Sequence, residues 1–402
     1  MMQRRVKITG IGPVTPAGIG REAFWRGILE PVSRIRPFTK LGEENGPLVA
    51  AFMADFDVEH YLDRSRVAKN AARHTEFALA GAMLALRDAG LAAENLRGMN
   101  CAVVTGSSLL DFGGIGSAIE SVAKRGLRGV KGKVVYTTTL TSVPDAINQA
   151  LGITARAMTL QSSCCSGLDA IGYSAELVGS GEADLAICGG TEAPLHRFPI
   201  LELRAAGLTP PNIEMAERMA RPFDLWRTTG VVSEGACMFI LEPEDSPRPG
   251  YSFVSGYAFA NDEPNALCGG MVRSGRLAMA QARMRPDRID AISAWGPGHK
   301  LIDAAEARAM QSLFGADLAR IPVVSIKGAI GNPLGATPAI QVAAAALAQR
   351  FETIPPTVNW DYPDPECPLN LSNRARLLAH EATLVNAHGV GNVNAALILR
   401  RC

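Results

Sequence analysis

The 402-residue chain lacks a dominant charge: 40 Lys and Arg stand against 39 Asp and Glu, a formal net charge of +1. That excludes a global field able to gather nucleic acid or an acidic membrane surface, so any basic surface must be local. It also lacks a long apolar run. The richest stretch, Ala339 to Leu347, is Ala-rich and far short of the ~20 apolar residues of a membrane helix. Near the start, Arg4, Arg5 and Lys7 flank only a short apolar stretch broken by Gly and Pro, so no signal-peptide core is expected. Cysteine is sparse and scattered, at 101, 164, 165, 188, 237, 268, 367 and 402, with neither metal-ligand spacing nor disulfide-framework density. A soluble chain in a reducing, cytosolic compartment is expected, with no metal and no nucleic-acid or membrane partner.

Several common motifs are missing as well. There is no Walker A sequence, no Gly-x-Ser-x-Gly and no His-Glu-x-x-His, since His380-Glu381 has no second histidine. Gly10-Ile11-Gly12-Pro13 lacks the third glycine of a dinucleotide loop and reads as a strained turn, so no cofactor is expected.

What is present is a globular composition, 47% hydrophobic and 20% charged. Short β-branched runs alternate with Ala-rich helical segments, the pattern of an α/β protein with buried strands. Strands are expected at Val6 to Thr9, Cys101 to Thr105, Leu185 to Cys188, Met238 to Glu242, Ala291 to Ala294 and Leu397 to Leu399. Helices are expected at His74 to Leu91, Gly167 to Gly179 and Ala304 to Leu313. The Pro-rich, acidic segment Leu241 to Gly250 is the natural seam, dividing the chain into 1–245 and 246–402.

The informative segment is Leu160-Gln161-Ser162-Ser163-Cys164-Cys165-Ser166-Gly167, a small, polar turn opening an apolar helix. A cysteine there meets unpaired backbone N–H groups, and the helix N-terminus is expected to lower its pKa toward a nucleophilic thiolate. The competing reading is a buried cysteine acting as a small hydrophobe.

Over essentially its whole length the chain resembles the β-ketoacyl-acyl-carrier-protein synthases of the thiolase superfamily. The marks, in family order, are Val6-Lys7-Ile8-Thr9-Gly10-Ile11-Gly12, Thr15-Pro16-Ala17-Gly18 and Ser163-Cys164-Cys165-Ser166-Gly167. Gly189-Gly190-Thr191-Glu192-Ala193, Arg221-Pro222-Phe223-Asp224 and Glu234-Gly235-Ala236 follow. Last come Asp303 with Glu306, Lys327, Gly331, Gly335-Ala336 and Gly389-Val390-Gly391 with Asn394. The resemblance implies a thiolase-like five-layered αβαβα fold built from two similar halves, the first carrying the nucleophile and the second the groups that act on the extender. It implies Cys164 as the acylated nucleophile, the N–H groups of Cys164 and Val390 as the oxyanion hole, and acyl and malonyl thioesters as substrates. It also implies an acyl carrier protein as partner and a dimer, either a homodimer or a heterodimer with a related ketosynthase.

Three positions depart from the family. Its first catalytic histidine opens a His-Gly-Thr-x-Thr loop, which here reads Trp295-Gly296-Pro297-Gly298-His299. Its second matches Asn332, and an accompanying acid matches Gln341. Decarboxylation needs hydrogen-bond donation to an enolate oxygen rather than proton removal, and an indole N–H and an Asn amide are both donors. Trp295 with Asn332 can therefore form a neutral donor pair, or Trp295 can simply fill the pocket. His299 and His388 stand where the family has other residues, and each can supply a base or donor near Cys164 or remain outside the chemistry. His388 ranks first because its loop also builds the oxyanion hole.

Lys327, Asp303 and Glu306 match a charge network of the family and are expected to support the site, while Asp224 and Glu234 order nearby loops. Two basic clusters, Arg64, Arg66 and Lys69, then Lys124, Arg125, Arg128, Lys131 and Lys133, match surfaces that receive the acidic carrier protein. Two functions follow. One is an acyltransferase, either a ketosynthase with a non-standard site or a relative that only moves acyl chains. The other is a non-catalytic partner subunit of the chain-length-factor kind, which retention of Cys164 disfavours and loss of both histidines favours.

Overall fold

The computed structural model describes residues 4–41, 48–63, 71–211 and 213–402. Five strands from the first part of the chain form one sheet: β1 (Val6–Thr15), β2 (Cys101–Gly106), β3 (Arg156–Leu160), β4 (Leu185–Glu192) and β5 (Gly235–Pro243). Five more form a second: β6 (Ser252–Asn261), β7 (Ala291–Ser293), β8 (Val323–Val324), β9 (Ala382–Gly389) and β10 (Val393–Arg401). The orders are β3-β2-β4-β5-β1 and β8-β7-β9-β10-β6. In each, the first three strands pair in parallel and the last two antiparallel. The same topology is thus drawn twice, and the two sheets touch where Val6 and Lys7 of β1 pair with Val254 and Phe253 of β6.

Helices fill three layers around these sheets. On the outer face of the first lie α1 (Arg73–Asp88) and α2 (Ser142–Leu151), and on that of the second α4 (Gly269–Gln281) and α5 (Lys300–Phe314). Between the sheets, α3 (Ser166–Ser180) packs against α6 (Thr337–Phe351). This is the five-layered αβαβα arrangement. The inner helix α6 is buried on every side from Thr337 to Gln349, which explains its alanines: small side chains let it approach strands of both sheets. Among the described residues, no helix is long and apolar enough to cross a membrane.

Two readings of the sequence need correction. Gly10 and Gly12 are not a turn but lie inside β1, which bulges between Ile8 and Gly10. They are glycines because α1 lies on them. A Cβ at Gly10 would stand 2.2 Å from the Ala85 carbonyl oxygen, and one at Gly12 1.9 Å from that of Gly81. The strands β3, β6, β8 and β9 and most of β10 also fall outside the strands expected from the sequence. β3 begins at Arg156 and β6 carries three aromatics and a Gly, so neither shows the β-branched run used to find the others.

Candidate active site

The carboxyl ends of β3, β7 and β9 converge, the usual place for a ligand in α/β sheets. Beyond β3 the chain turns sharply, with Ser163 in the left-handed region at φ 54°, and Cys165 occupies the N-cap position of α3. The turn is locked by its own hydroxyls. Ser166 Oγ donates to Ser163 O at 2.5 Å and accepts from Ser162 N at 3.0 Å. Asp169, in the first turn of α3, accepts from Ser162 Oγ and from Tyr257 of β6 at 2.7 Å, tying the turn to the second sheet. Burial raises the Asp169 carboxyl to about 6 despite those bonds.

Cys164 is 8% exposed and lines a cavity of about 460 Å³. The Val390 backbone N–H lies near enough to its sulfur to pull the thiol pKa down. The expectation of a low thiol pKa is corrected: burial pushes Cys164 up to about 11, outweighing the Ser163 hydroxyl, the Val390 N–H and the distant Lys327 charge. The resting group is therefore a thiol. Cys165 does not line the cavity, and its sulfur lies 3.7 Å from the Val393 carbonyl.

The hairpin between β9 and β10 is pressed onto this turn. A Cβ at Gly389 would come within 2.9 Å of Cys164 N and 3.1 Å of the Ser163 Cβ. Gly389→Ala is therefore expected to destabilise the fold by about 1–3 kcal/mol through overpacking. Because the clash is with the Cys164 backbone, labelling of the Cys164 thiol should slow more than stability falls. Thermal melting and thiol-labelling rates measure the two effects.

Trp295, Asn332, His299 and His388 all line the same cavity as Cys164 and Val390. Trp295 sits on the loop after β7, and α5 holds that loop through two carboxylates one turn apart. Glu306 accepts from Trp295 N at 2.8 Å and Gly296 N at 2.7 Å, while Asp303 accepts from Gly298 N at 3.1 Å and Phe223 N at 2.7 Å. Lys327 lies behind the indole, its ammonium 3.9 Å from the ring centroid, and donates to the Trp295 carbonyl and, at 3.3 Å, to Gln341. Burial raises the Asp303 carboxyl to about 7 and holds the Lys327 ammonium below its ordinary value, with Glu306 pulling the latter back up. Gln341 spans the strand ends, donating to Ala294 O at 2.8 Å and Asn386 O at 3.2 Å. These groups fix the loop that carries Trp295.

Asn332 is oriented by Thr337, whose hydroxyl donates to its Oδ1 at 2.8 Å, leaving the amide N–H groups for the cavity. His299 is the N-cap of α5: its Nδ1 accepts from Leu301 N at 3.3 Å and Ile302 N at 3.5 Å. Burial lowers its pKa, with Arg227 adding to the effect, so the ring is neutral near pH 7. His388 Nδ1 lies 2.9 Å from Asn394 Oδ1.

The remaining expected residues stand apart from the cavity. Glu234 pairs with Arg73 at 2.7 Å and accepts from Met53 N at 3.0 Å, tying the start of α1 to the loop after Ala51. Asp224 accepts from Trp226 N, Asp361 N and Tyr362 N. Arg128 and Lys131 are exposed on the segment after the helix Phe112–Arg125, while Arg66 and Lys69 lie outside the described residues. Sequence reasoning missed one cavity-building residue, Glu192. Fully buried, it accepts from Ser107 Oγ, Ser108 N and Oγ, Leu109 N and Gly335 N, fixing the wall that Ser108 and Leu109 present. Its signal in the sequence is the Gly189-Gly190-Thr191-Glu192-Ala193 run. The rest of the wall is mostly apolar, with Leu203, Leu208, Val232 and Leu334 among its residues. A slot of this kind can hold an acyl chain with its carbonyl at Cys164.

Comparison with known proteins agrees with this picture. The model of the beta-ketoacyl synthase N-terminal domain matches residues 3–246, and that of the C-terminal domain residues 251–361. The chain is 30% identical over 417 residues to the tetracenomycin polyketide synthase ketoacyl synthase alpha subunit of Streptomyces glaucescens, covering 99% of this chain and 97% of that protein. Among solved structures, it is similar to the ishigamide ketosynthase/chain length factor, with a TM-score of 0.93, 28% identity and full coverage of both chains. It is also similar to a chain from a complex of a type II polyketide acyl-carrier protein with its ketosynthase, with a TM-score of 0.90, 25% identity and full coverage of both chains.

Proposed function

Because this chain belongs to the β-ketoacyl synthase family, we propose that it is an acyltransferase which takes an acyl chain from a carrier-protein thioester onto Cys164 and condenses it with a malonyl-type thioester. The observation that carries this reading is that Cys164 and Val390 line one apolar-walled cavity, with the Val390 N–H near enough to act on the Cys164 thiol. An acyl group on that sulfur places its carbonyl oxygen beside the N–H groups of Cys164 and Val390, two donors aimed where negative charge develops. The donors for the extender differ from a histidine pair. Trp295 offers an indole N–H and Asn332 an amide N–H, neither of which changes charge near neutrality. Lys327, Asp303, Glu306 and Glu234 serve by holding loops.

The chain divides in this reading into halves 1–245 and 246–402, the first supplying Cys164 and the second Trp295, Asn332 and the hairpin. An acyl carrier protein is the partner, and the solved relative bound to its carrier protein supports that assignment. Arg128 and Lys131 belong to its docking surface. Dimerisation is supported by β3, which ends its sheet with an unpaired edge, and by exposed Leu127, Val130, Val135 and Tyr136. The likeness to a ketosynthase/chain length factor keeps the partner-subunit reading in play. Cys164, cavity-lining and with a donor near its sulfur, favours the enzyme.

Intact mass after incubation with acyl-carrier proteins of several chain lengths tests the first step. An acyl adduct on Cys164 with some of these donors is expected. No adduct with any of them, from the chain alone or with a co-purifying related subunit, would leave the partner-subunit reading.

A further inference from the structure

The two histidines of the cavity are locked in opposite tautomers. His299 Nδ1 accepts from two backbone amides, so its proton is on Nε2 and the ring can only donate into the cavity. At His388 the order is reversed. The Asn394 side-chain nitrogen donates to Asp262 Oδ1 at 2.7 Å and to Ala260 O at 3.4 Å, which turns its oxygen toward the imidazole. Asp262 is in turn fixed by Cys268 N at 3.0 Å and Gly270 N at 2.8 Å. An amide oxygen only accepts, so His388 carries its proton on Nδ1 and keeps a lone pair on Nε2. That nitrogen makes no hydrogen bond to a described residue, and the ring lines the cavity that Cys164 also lines.

Position and need agree. His388 sits between Ala387 and Gly389 at the end of β9, where the strand presses on the nucleophile's backbone, and two residues before Val390, whose N–H lies near the sulfur. A buried thiol must lose its proton in order to attack. Lys327 is engaged elsewhere, with the Trp295 carbonyl and Gln341, and His299 has no lone pair to give. A carbanion released by loss of CO₂ needs no base to attack an acyl-enzyme, whereas an attacker bearing an O–H does.

We propose that His388 is the general base for Cys164, positioned by Asn394 and Asp262, and that it gives the acyl-enzyme a second outlet, transfer of the acyl group to a hydroxylic acceptor. In the first step the Cys164 S–H proton moves to His388 Nε2, sulfur attacks the thioester carbonyl, the bond to the carrier sulfur breaks, and that sulfur takes the proton from Nε2. In the second, the acceptor O–H gives its proton to Nε2, oxygen attacks the acyl carbonyl, the Cys164 S–C bond breaks and Cys164 recovers the proton. With water the product is the free acid; with an alcohol it is an ester. This inference rests on Cys164 being acylated.

The test loads wild type, His388→Phe, His388→Ala and Asn394→Ala with excess acyl-carrier thioester, removes the carrier, and follows the acyl mass in buffer with and without glycerol. Wild type is expected to release free acid, and a glyceryl ester when glycerol is present. His388→Phe should retain the acyl group about 10²-fold longer or more, the range of a lost general base. His388→Ala should regain part of its rate with added imidazole, a response that lost packing cannot produce. Asn394→Ala should lower the release rate while the thioester concentration giving half-maximal loading stays the same. A wild-type acyl-enzyme that yields neither acid nor ester, or a His388→Phe variant that releases at the wild-type rate, overturns the inference while leaving acylation of Cys164 intact. Failure of wild type to load at all overturns the underlying reading and this one with it.

Discussion

Replacing Asn332 with Ala is expected to slow decarboxylation of a malonyl thioester by roughly 10²-fold or more, the scale set by removal of one preorganised donor. The loss should be the same factor at pH 6 and at pH 8. The argument starts from Thr337, whose hydroxyl occupies the Asn332 oxygen and so leaves the amide N–H groups for the enolate that forms as CO₂ departs. Neither that amide nor the Trp295 indole ionises in this range. Asp303, raised to about 7 by burial, and the depressed Lys327 ammonium do titrate nearby. They act behind the Trp295 loop in wild type and variant alike, so they bend both pH profiles and leave the ratio flat. A ratio that changes between pH 6 and pH 8, or an Asn332→Ala variant close to wild type, would shift the donor role to His299 or His388.

Cys164→Ala should abolish the acyl adduct, while Cys165→Ala should keep it. The two sulfurs are neighbours in sequence but have different surroundings. Cys164 faces the cavity with the Val390 N–H near its sulfur, whereas Cys165 turns toward the Val393 carbonyl and is held well above its ordinary pKa by burial and by Asp169. Peptide mapping of an iodoacetamide or acyl adduct separates them, and modification confined to Cys165 would refute the assignment.

The nucleophile turn was legible because its chemistry is local: small hydroxyl residues, a cysteine and the start of an apolar helix lie within eight positions. The duplicated fold was legible through motifs spread along the whole chain. Gly10 and Gly12 misled because a glycine in a strand and a glycine in a turn look alike until the helix packed over them is known; here Gly81 and Ala85 supply the reason. The Cys164 thiol misled in another way, since the helix end that favours a thiolate is visible in sequence and the burial that opposes it is not. His388 could be placed near the cysteine from the glycine-rich hairpin, but not its tautomer. That depends on Asn394 and Asp262, which lie 132 positions apart and meet only because β10 pairs with β6.

The most direct test of the central claim is a condensation assay in which purified protein, an acyl-carrier thioester accepted in the loading experiment and a malonyl-carrier thioester are mixed and the carrier-bound products are weighed over time. The account predicts a β-ketoacyl carrier thioester two carbons longer than the starting acyl chain, with release of CO₂, and no such product from Cys164→Ala. Full acylation of Cys164 with the malonyl thioester unchanged at every pH from 6 to 8 would contradict it.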